Sequence, residues 1–240
     1  GTDASIDFNG DLTIPTATAA EAATLDLNLN AEGADVTMTA LAAKDGATIT
    51  ITDDGVVKEG SLTLTEVNAK GVTIDGSAVA TADLTITASS GADTIKGGAG
   101  DDTLAGGKGA DMLYGGAGAN TFKVAAEGAS VAEVIAAADS IMDWAAGAGN
   151  KIDGAANAAG EKAYGEFSVN DKGVVTFGNS SLTLDQMVNM LNDGLANDTS
   201  VLFTHGSDSY VFSNAENKNS DILVKIAGVT DITALSDILA

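Results

Sequence analysis

Residues 1–87 alternate between apolar and polar positions in a series of short segments. Asp11-Leu12-Thr13-Ile14, Leu25-Asp26-Leu27-Asn28-Leu29 and Val36-Thr37-Met38 are followed by Ile49-Thr50-Ile51, Leu62-Thr63-Leu64, Val72-Thr73-Ile74 and Leu84-Thr85-Ile86. Successive side chains of a strand point to opposite faces, so a period of two predicts half-buried strands with Thr and Asp on the solvated side. The segments recur every 10–13 residues, divided by turn signals such as Asp53-Asp54-Gly55, Lys70-Gly71 and Asp75-Gly76. Two architectures fit this rhythm, a β-solenoid and a β-sandwich.

From residue 88 to 123 the period changes to nine. The chain reads ASSGADTIK, GGAGDDTLA, GGKGADMLY and GGAGANTFK, which places Asp93, Asp102, Asp111 and Asn120 at the sixth position and Ile95, Leu104, Leu113 and Phe122 at the eighth. Glycines at the first, second and fourth positions permit a tight turn that aims carbonyl oxygens inward, and the sixth position adds a carboxylate. Carbonyl and carboxylate oxygens together suit a hard cation such as Ca²⁺. Each repeat ends in a short strand with one inward apolar side chain. Stacking is expected to bury Ile95, Leu104, Leu113 and Phe122 as a column, since one repeat alone buries almost nothing. Ile86 lies nine residues before Ile95, which favours a solenoid continuous with the nine-residue repeats.

Residues 124–240 change character again. Ser130-Val131-Ala132-Glu133 forms a capping box leading into the helical stripe Val131, Val134, Ile135 and Ala138. A second helix is expected from Thr183, with Gln186 completing its box and Leu184, Met187, Val188, Leu191 and Leu195 on one core-facing side. Two strands are expected beyond it, from Phe203 to Phe212 and from Asp221 to Ile226. The predicted fold class is therefore mostly β, a β-solenoid with a mixed α/β C-terminal cap. The chain divides into a strand-repeat region (1–87, β-solenoid or β-sandwich), a cation-binding stack (88–123) and a C-terminal capping region (124–240).

Composition narrows the function. The chain has 34 acidic residues against 11 basic ones, a net charge of −23, with no cysteine. All the basic residues are Lys. Such a charge argues against nucleic acid and anionic membranes as partners and favours divalent cations. No disulfide framework is available. No run of apolar residues is long enough to cross a membrane as a helix, and the first residues lack the charged and apolar regions of a cleaved signal peptide. Catalysis finds little to work with. The chain has one His, His205, in the polar turn His205-Gly206-Ser207-Asp208, and the glycine-rich stretch lacks the Gly-Lys-Ser/Thr of a phosphate-binding loop. The chain is read as a non-enzyme.

Residues 88–123 resemble the parallel β-roll of RTX proteins, which are exported by type I (ABC transporter) systems with an uncleaved C-terminal signal. In that family two nonapeptides make one turn, and Ca²⁺ sits between stacked loops. The resemblance implies one site from Asp93 and Asp111 with the carbonyls of Ser89, Gly91, Gly106 and Lys108. A second uses Asp102 and Asn120 with the carbonyls of Gly98, Gly100, Gly115 and Ala117, and is weaker because Asn120 carries no charge. Asp139-Ser140-Ile141-Met142-Asp143-Trp144, with Asn150-Lys151-Ile152-Asp153 beyond it, resembles a segment that follows the roll in many such proteins. There Asp143 or Asp153 helps bind a terminal ion; the alternative is a strand and turn that close the roll. Residues 231–240, acidic and apolar without a basic residue, are similar in character to a type I secretion tail. The RTX resemblance thus makes the nine-residue stack a parallel β-roll and adds a type I secretion signal to the capping region.

The absence of Arg and Cys, the abundance of Ala, Thr, Asp and Gly, and the strand-rich sequence ahead of a short roll most resemble the C-terminal part of a Gram-negative surface-layer (S-layer) protein. That implies a secreted, extracellular protein of the bacterial cell surface whose partners are calcium ions, the ABC exporter, copies of itself in a lattice, and a cell-surface polysaccharide gripped through an upstream part. The alternative is a secretion and folding module of an exported protease, lipase or adhesin. A carbohydrate-binding module is disfavoured by only three Tyr and one Trp.

Overall fold

The computed structural model describes residues 2–19, 22–29, 35–53, 61–126, 128, 130–145, 147–155, 157–158, 162–163, 166–215 and 221–240. Asp54 and Gly55 of the expected Asp53-Asp54-Gly55 turn lie outside these residues.

The alternating segments form strands laid in turn on two facing parallel sheets. The first sheet carries, in spatial order, Thr2–Phe8, Ala22–Leu29, Thr48–Asp53, Thr73–Asp75, Thr94–Lys96, Met112–Tyr114 and Asp139–Ile141. The second carries Leu12–Ile14, Asp35–Met38, Ser61–Val67, Asp83–Ala88, Thr103–Ala105, Thr121–Lys123 and Lys151–Asp153. Neighbours in a sheet are parallel and one full turn of chain apart, which is a solenoid. The turn shortens toward the nine-residue repeats. Thr24 pairs with Thr48 and Thr48 with Thr73, then Thr73 with Thr94 and, only 18 residues on, Thr94 with Met112.

Register stacks like on like. Leu25, Ile49, Ile74, Ile95, Leu113 and Ile141 form one inward column. Met38, Leu64, Ile86, Leu104, Phe122 and Ile152 form the facing one. Every member is at most 1% exposed. The single column expected for Ile95, Leu104, Leu113 and Phe122 is therefore two, because consecutive nonapeptides fall on opposite sheets. Outside the second sheet, Thr13, Thr37, Thr63, Thr85, Thr103 and Thr121 align in one rank, where a β-branched side chain fits the pleated surface.

Several solvated acids at strand ends and turns also tie one turn to the next. Asp11, Asp45, Asp53 and Asp83 accept backbone N–H groups of Asp35, Lys70, Ala80 and Asp101 at 2.7–3.0 Å. A wide loop leaves amides without a ladder partner, and a short carboxylate supplies one.

The cap grows from the last rungs. Helix α1 (Val131–Ala136) starts at Ser130, whose hydroxyl accepts the Glu133 N–H at 3.4 Å. Helix α2 (Leu184–Gly194) has the full reciprocal box between Thr183 and Gln186. The strand-like stretch from Phe203 to Phe212 is a hairpin, Thr199–His205 with Asp208–Asn214, closed at the expected polar turn. It turns at Gly206 with φ +65°, where His205 pairs with Asp208. Strand Ile222–Ile226 then returns to the solenoid, pairing in parallel with Asp139–Ile141 after an excursion of 85 residues. This three-stranded extension has a core on each face. Leu202, Val211 and Val224 join the solenoid interior; Val201, Phe203, Phe212 and Leu223 meet Val188 and Leu191 of α2. The chain ends on the other sheet, where Ile152 donates to the Ile238 carbonyl at 2.6 Å and accepts from Ala240 at 3.0 Å, over buried Leu235 and Ile238.

Candidate metal centre

The nine-residue phase brings its polar sixth positions into the interior. Asp93, Asp102, Asp111 and Asn120 are at most 1% exposed. Each side chain reaches back one turn to a backbone amide. On one edge of the roll Asp93 accepts from Val72 at 2.7 Å and Asp111 from Asp93 at 2.8 Å. On the other Asp102 accepts from Leu84 at 2.8 Å and Asn120 from Asp102 at 2.9 Å.

Both ladders run past the repeats. Asp139 accepts the Asp111 N–H at 3.1 Å, and Asn150 accepts the Asn120 N–H at 2.9 Å. These two rungs escape the nine-residue phase because the intervening chain is longer. Their signal is the local pattern: Asp139-Ser140-Ile141 and Asn150-Lys151-Ile152 repeat the order of sixth-position polar residue, spacer and inward apolar residue.

The first-position glycines make room for the carboxylates. A Cβ at Gly97 or Gly106 would fall on the carboxylate of Asp102 or Asp111. Gly109, at φ +119°, packs so closely on the previous loop that a Cβ would overlap the Gly91 carbonyl; Gly118 stands in the same relation to Gly100. Loop carbonyls therefore face the next loop, as the repeat requires. Some already hold loops together. Ser89 accepts from Lys108 at 3.0 Å, Lys108 from Gly91 at 2.8 Å and Gly98 from Ala117 at 3.0 Å. The Gly115 carbonyl lies beside Gly97. Ala117 accepts from the side-chain amide of Asn120 at 3.0 Å.

The terminal candidates part company. Asp143 uses both carboxylate oxygens on the amides of Gly115 and Gly116, at 2.8 Å each, so it seats the last glycine loop. Asp153 ends the strand Lys151–Asp153 and accepts the Val124 N–H through its backbone carbonyl at 2.9 Å.

Electrostatics separates these carboxylates from surface ones. Burial raises the pKa of Asp93 above the usual carboxylate range against the pull of the Val72 amide. Burial pushes Asp102 up to about 6, with the nearby charges of Asp83 and Asp101 adding to the effect and the Leu84 and Gly98 amides opposing it. Asp93 Oδ2 is buried without a hydrogen bond. A buried anion short of partners is relieved by a cation. Among the described residues no three His, Cys, Asp or Glu side chains converge, so an ion here must take backbone carbonyls as well. Glycine loops whose carbonyls face the neighbouring loop and a few carboxylates form an all-oxygen donor set, which fits Ca²⁺ and not a thiophilic metal.

Comparison with known families agrees with this geometry. Residues 87–122 match the RTX calcium-binding nonapeptide repeat in four copies. Repeats of this family bind Ca²⁺ and are typical of secreted proteins. No curated protein matches the chain. Among the described residues no helix is long and apolar enough to cross a membrane, which leaves strand-built spans unaddressed.

Proposed function

We propose that this chain belongs to a calcium-dependent bacterial surface-layer protein, exported unfolded by a type I system and assembled on extracellular Ca²⁺. The observation that carries the reading is the ladder of buried carboxylates between stacked glycine loops, continuous with a strand-rich solenoid. In this reading residues 1–87 are scaffold, 88–123 the calcium-binding roll, and 124–240 the cap with the export region.

Asp93 and Asp111, with the carbonyls of Ser89, Gly91, Gly106 and Lys108, hold the ion, and Asp143 or Asp153 serves a terminal one. The ion supplies a positive charge that offsets the buried carboxylates. The chain's own residues do the rest: the glycines bring loops into contact, the sixth-position side chains set the spacing between turns, and the apolar columns exclude water. Cytosolic calcium is too low to close the roll. Extracellular modules bind at about 10⁻⁴–10⁻³ M, so folding follows export. The net charge of −23 favours this order, since self-repulsion opposes the compact state until cations neutralise it.

The test is a calcium titration followed together by circular dichroism and light scattering. A gain of β-structure followed by growth of large particles is the expected result. Folding without particle growth favours the alternative, a secretion and folding module of an exported protease, lipase or adhesin. Native structure that ignores calcium and chelator alike sinks both.

A further inference from the structure

The two edges of the roll differ in their rungs. One carries Asp93, Asp111 and Asp139; the other carries Asp102, Asn120 and Asn150. Asn120 is fully buried and uses both ends of its amide. Its Oδ1 accepts the Asp102 N–H at 2.9 Å, and its Nδ2 donates to the Ala117 carbonyl at 3.0 Å. Ala117 is one of the carbonyls that the repeat would aim at an ion. On the opposite edge the equivalent pair is the Asp111 carboxylate and the Lys108 carbonyl. Both are acceptors, and two acceptors can be joined only through a donor or a cation. Nδ2 is such a donor, attached to the chain. Gly115 houses it, since a Cβ there would lie 2.6 Å from Nδ2. Asn150, 5% exposed, continues the pattern by accepting the Asn120 N–H at 2.9 Å.

We infer that Asn120 is a built-in substitute for the cation, so that the Asp102–Asn120 edge closes without metal and the roll takes its ion at the Asp93–Asp111 edge. This rests on the calcium reading above. Both edges share the amide hydrogen bond that links one turn to the next; what Asn120 adds is a donor inside its own loop, three residues from Ala117, which takes the place of the ion there.

The test counts calcium bound per full-length chain by equilibrium dialysis in wild type and Asn120→Asp. The substitution keeps the shape and replaces the donor with an acceptor, so the variant should bind one ion more than wild type. An unchanged count overturns the inference; a wild-type count of zero separately overturns the calcium reading. Asn120→Leu provides a second readout through thermal melts in calcium and in chelator. An equal loss of Tm in both conditions is expected of a metal-free staple. A loss confined to calcium would make Asn120 an ion ligand and overturn the inference.

Discussion

The first turns of the solenoid and the nine-residue roll share two sheets and two apolar columns, yet they are held together differently. Thr48–Asp53 and Ser61–Val67 each bury at least two apolar side chains, Ile49 with Ile51 and Leu62 with Leu64 and Val67. Thr94–Lys96 and Thr103–Ala105 bury one each, Ile95 and Leu104. A thick rung is held by its own core. A thin one buries too little and relies on polar side chains that bridge turns, and on the ion those carboxylates attract. Under the proposed function, the roll is thus the part of the fold whose stability would follow calcium.

Chelation should separate the two regions most sharply. At calcium a hundredfold above its dissociation constant, one ion contributes about 2.7 kcal/mol. Removing it should raise amide exchange across residues 94–123 by about a hundredfold while Thr48–Asp53 keeps its protection. Uniform loss over both regions in hydrogen-exchange mass spectrometry would mean that the solenoid folds as one unit and that the contrast is false.

Truncating one core residue in each region sharpens the comparison. Ile49→Ala and Leu113→Ala each remove a fully buried side chain and should cost about 2–5 kcal/mol. Leu113→Ala acts on the rung that follows Asp111, at the ion-linked edge, so it should shift the calcium midpoint of folding upward by about tenfold or more, each 1.4 kcal/mol being one decade for a single ion. Ile49→Ala should lower Tm with little change in that midpoint. Equal shifts in a calcium titration would remove the distinction.

The smallest effect is in the pH dependence of the calcium-free chain. Asp102 titrates at about 6 when folded against an ordinary 3.8, so the folded state binds its proton more tightly than the unfolded state. Its contribution is therefore fully present below the ordinary carboxylate pKa and is lost as pH rises through about 6. Urea melts in chelator should show lower stability from this group at about pH 7.5 than at about pH 5, and Asp102→Asn should flatten that slope. A slope unchanged in the variant would place the titration elsewhere.

Much of the roll could be read from the chain alone. A strict period of nine with glycine, acid and apolar residue in constant phase leaves little freedom, because each position answers a local demand: a turn, a buried oxygen, an inward side chain. The helix starts at Ser130 and Thr183 were legible for the same reason, since a cap is a contact between residues three apart. Reading failed where the partner is remote or the phase breaks. Asp139 and Asn150 continue the polar ladders, but longer excursions hide them from a repeat count. The polar turn His205-Gly206-Ser207-Asp208 was legible as a local signal, whereas the antiparallel pairing of the strand that follows it, Asp208–Asn214, with Ile222–Ile226 was not.

The sequence by itself determined the alternation of buried and exposed positions and the cation-seeking donor set, both of which follow from spacing within a few tens of residues. Tertiary structure alone decided that the first turns form a solenoid and not a sandwich, that Ile222–Ile226 returns to Asp139–Ile141, and that the Asn120 amide meets the Ala117 carbonyl. Those outcomes depend on closing long loops and on the direction of a buried side chain, and neither leaves a periodic mark on the chain.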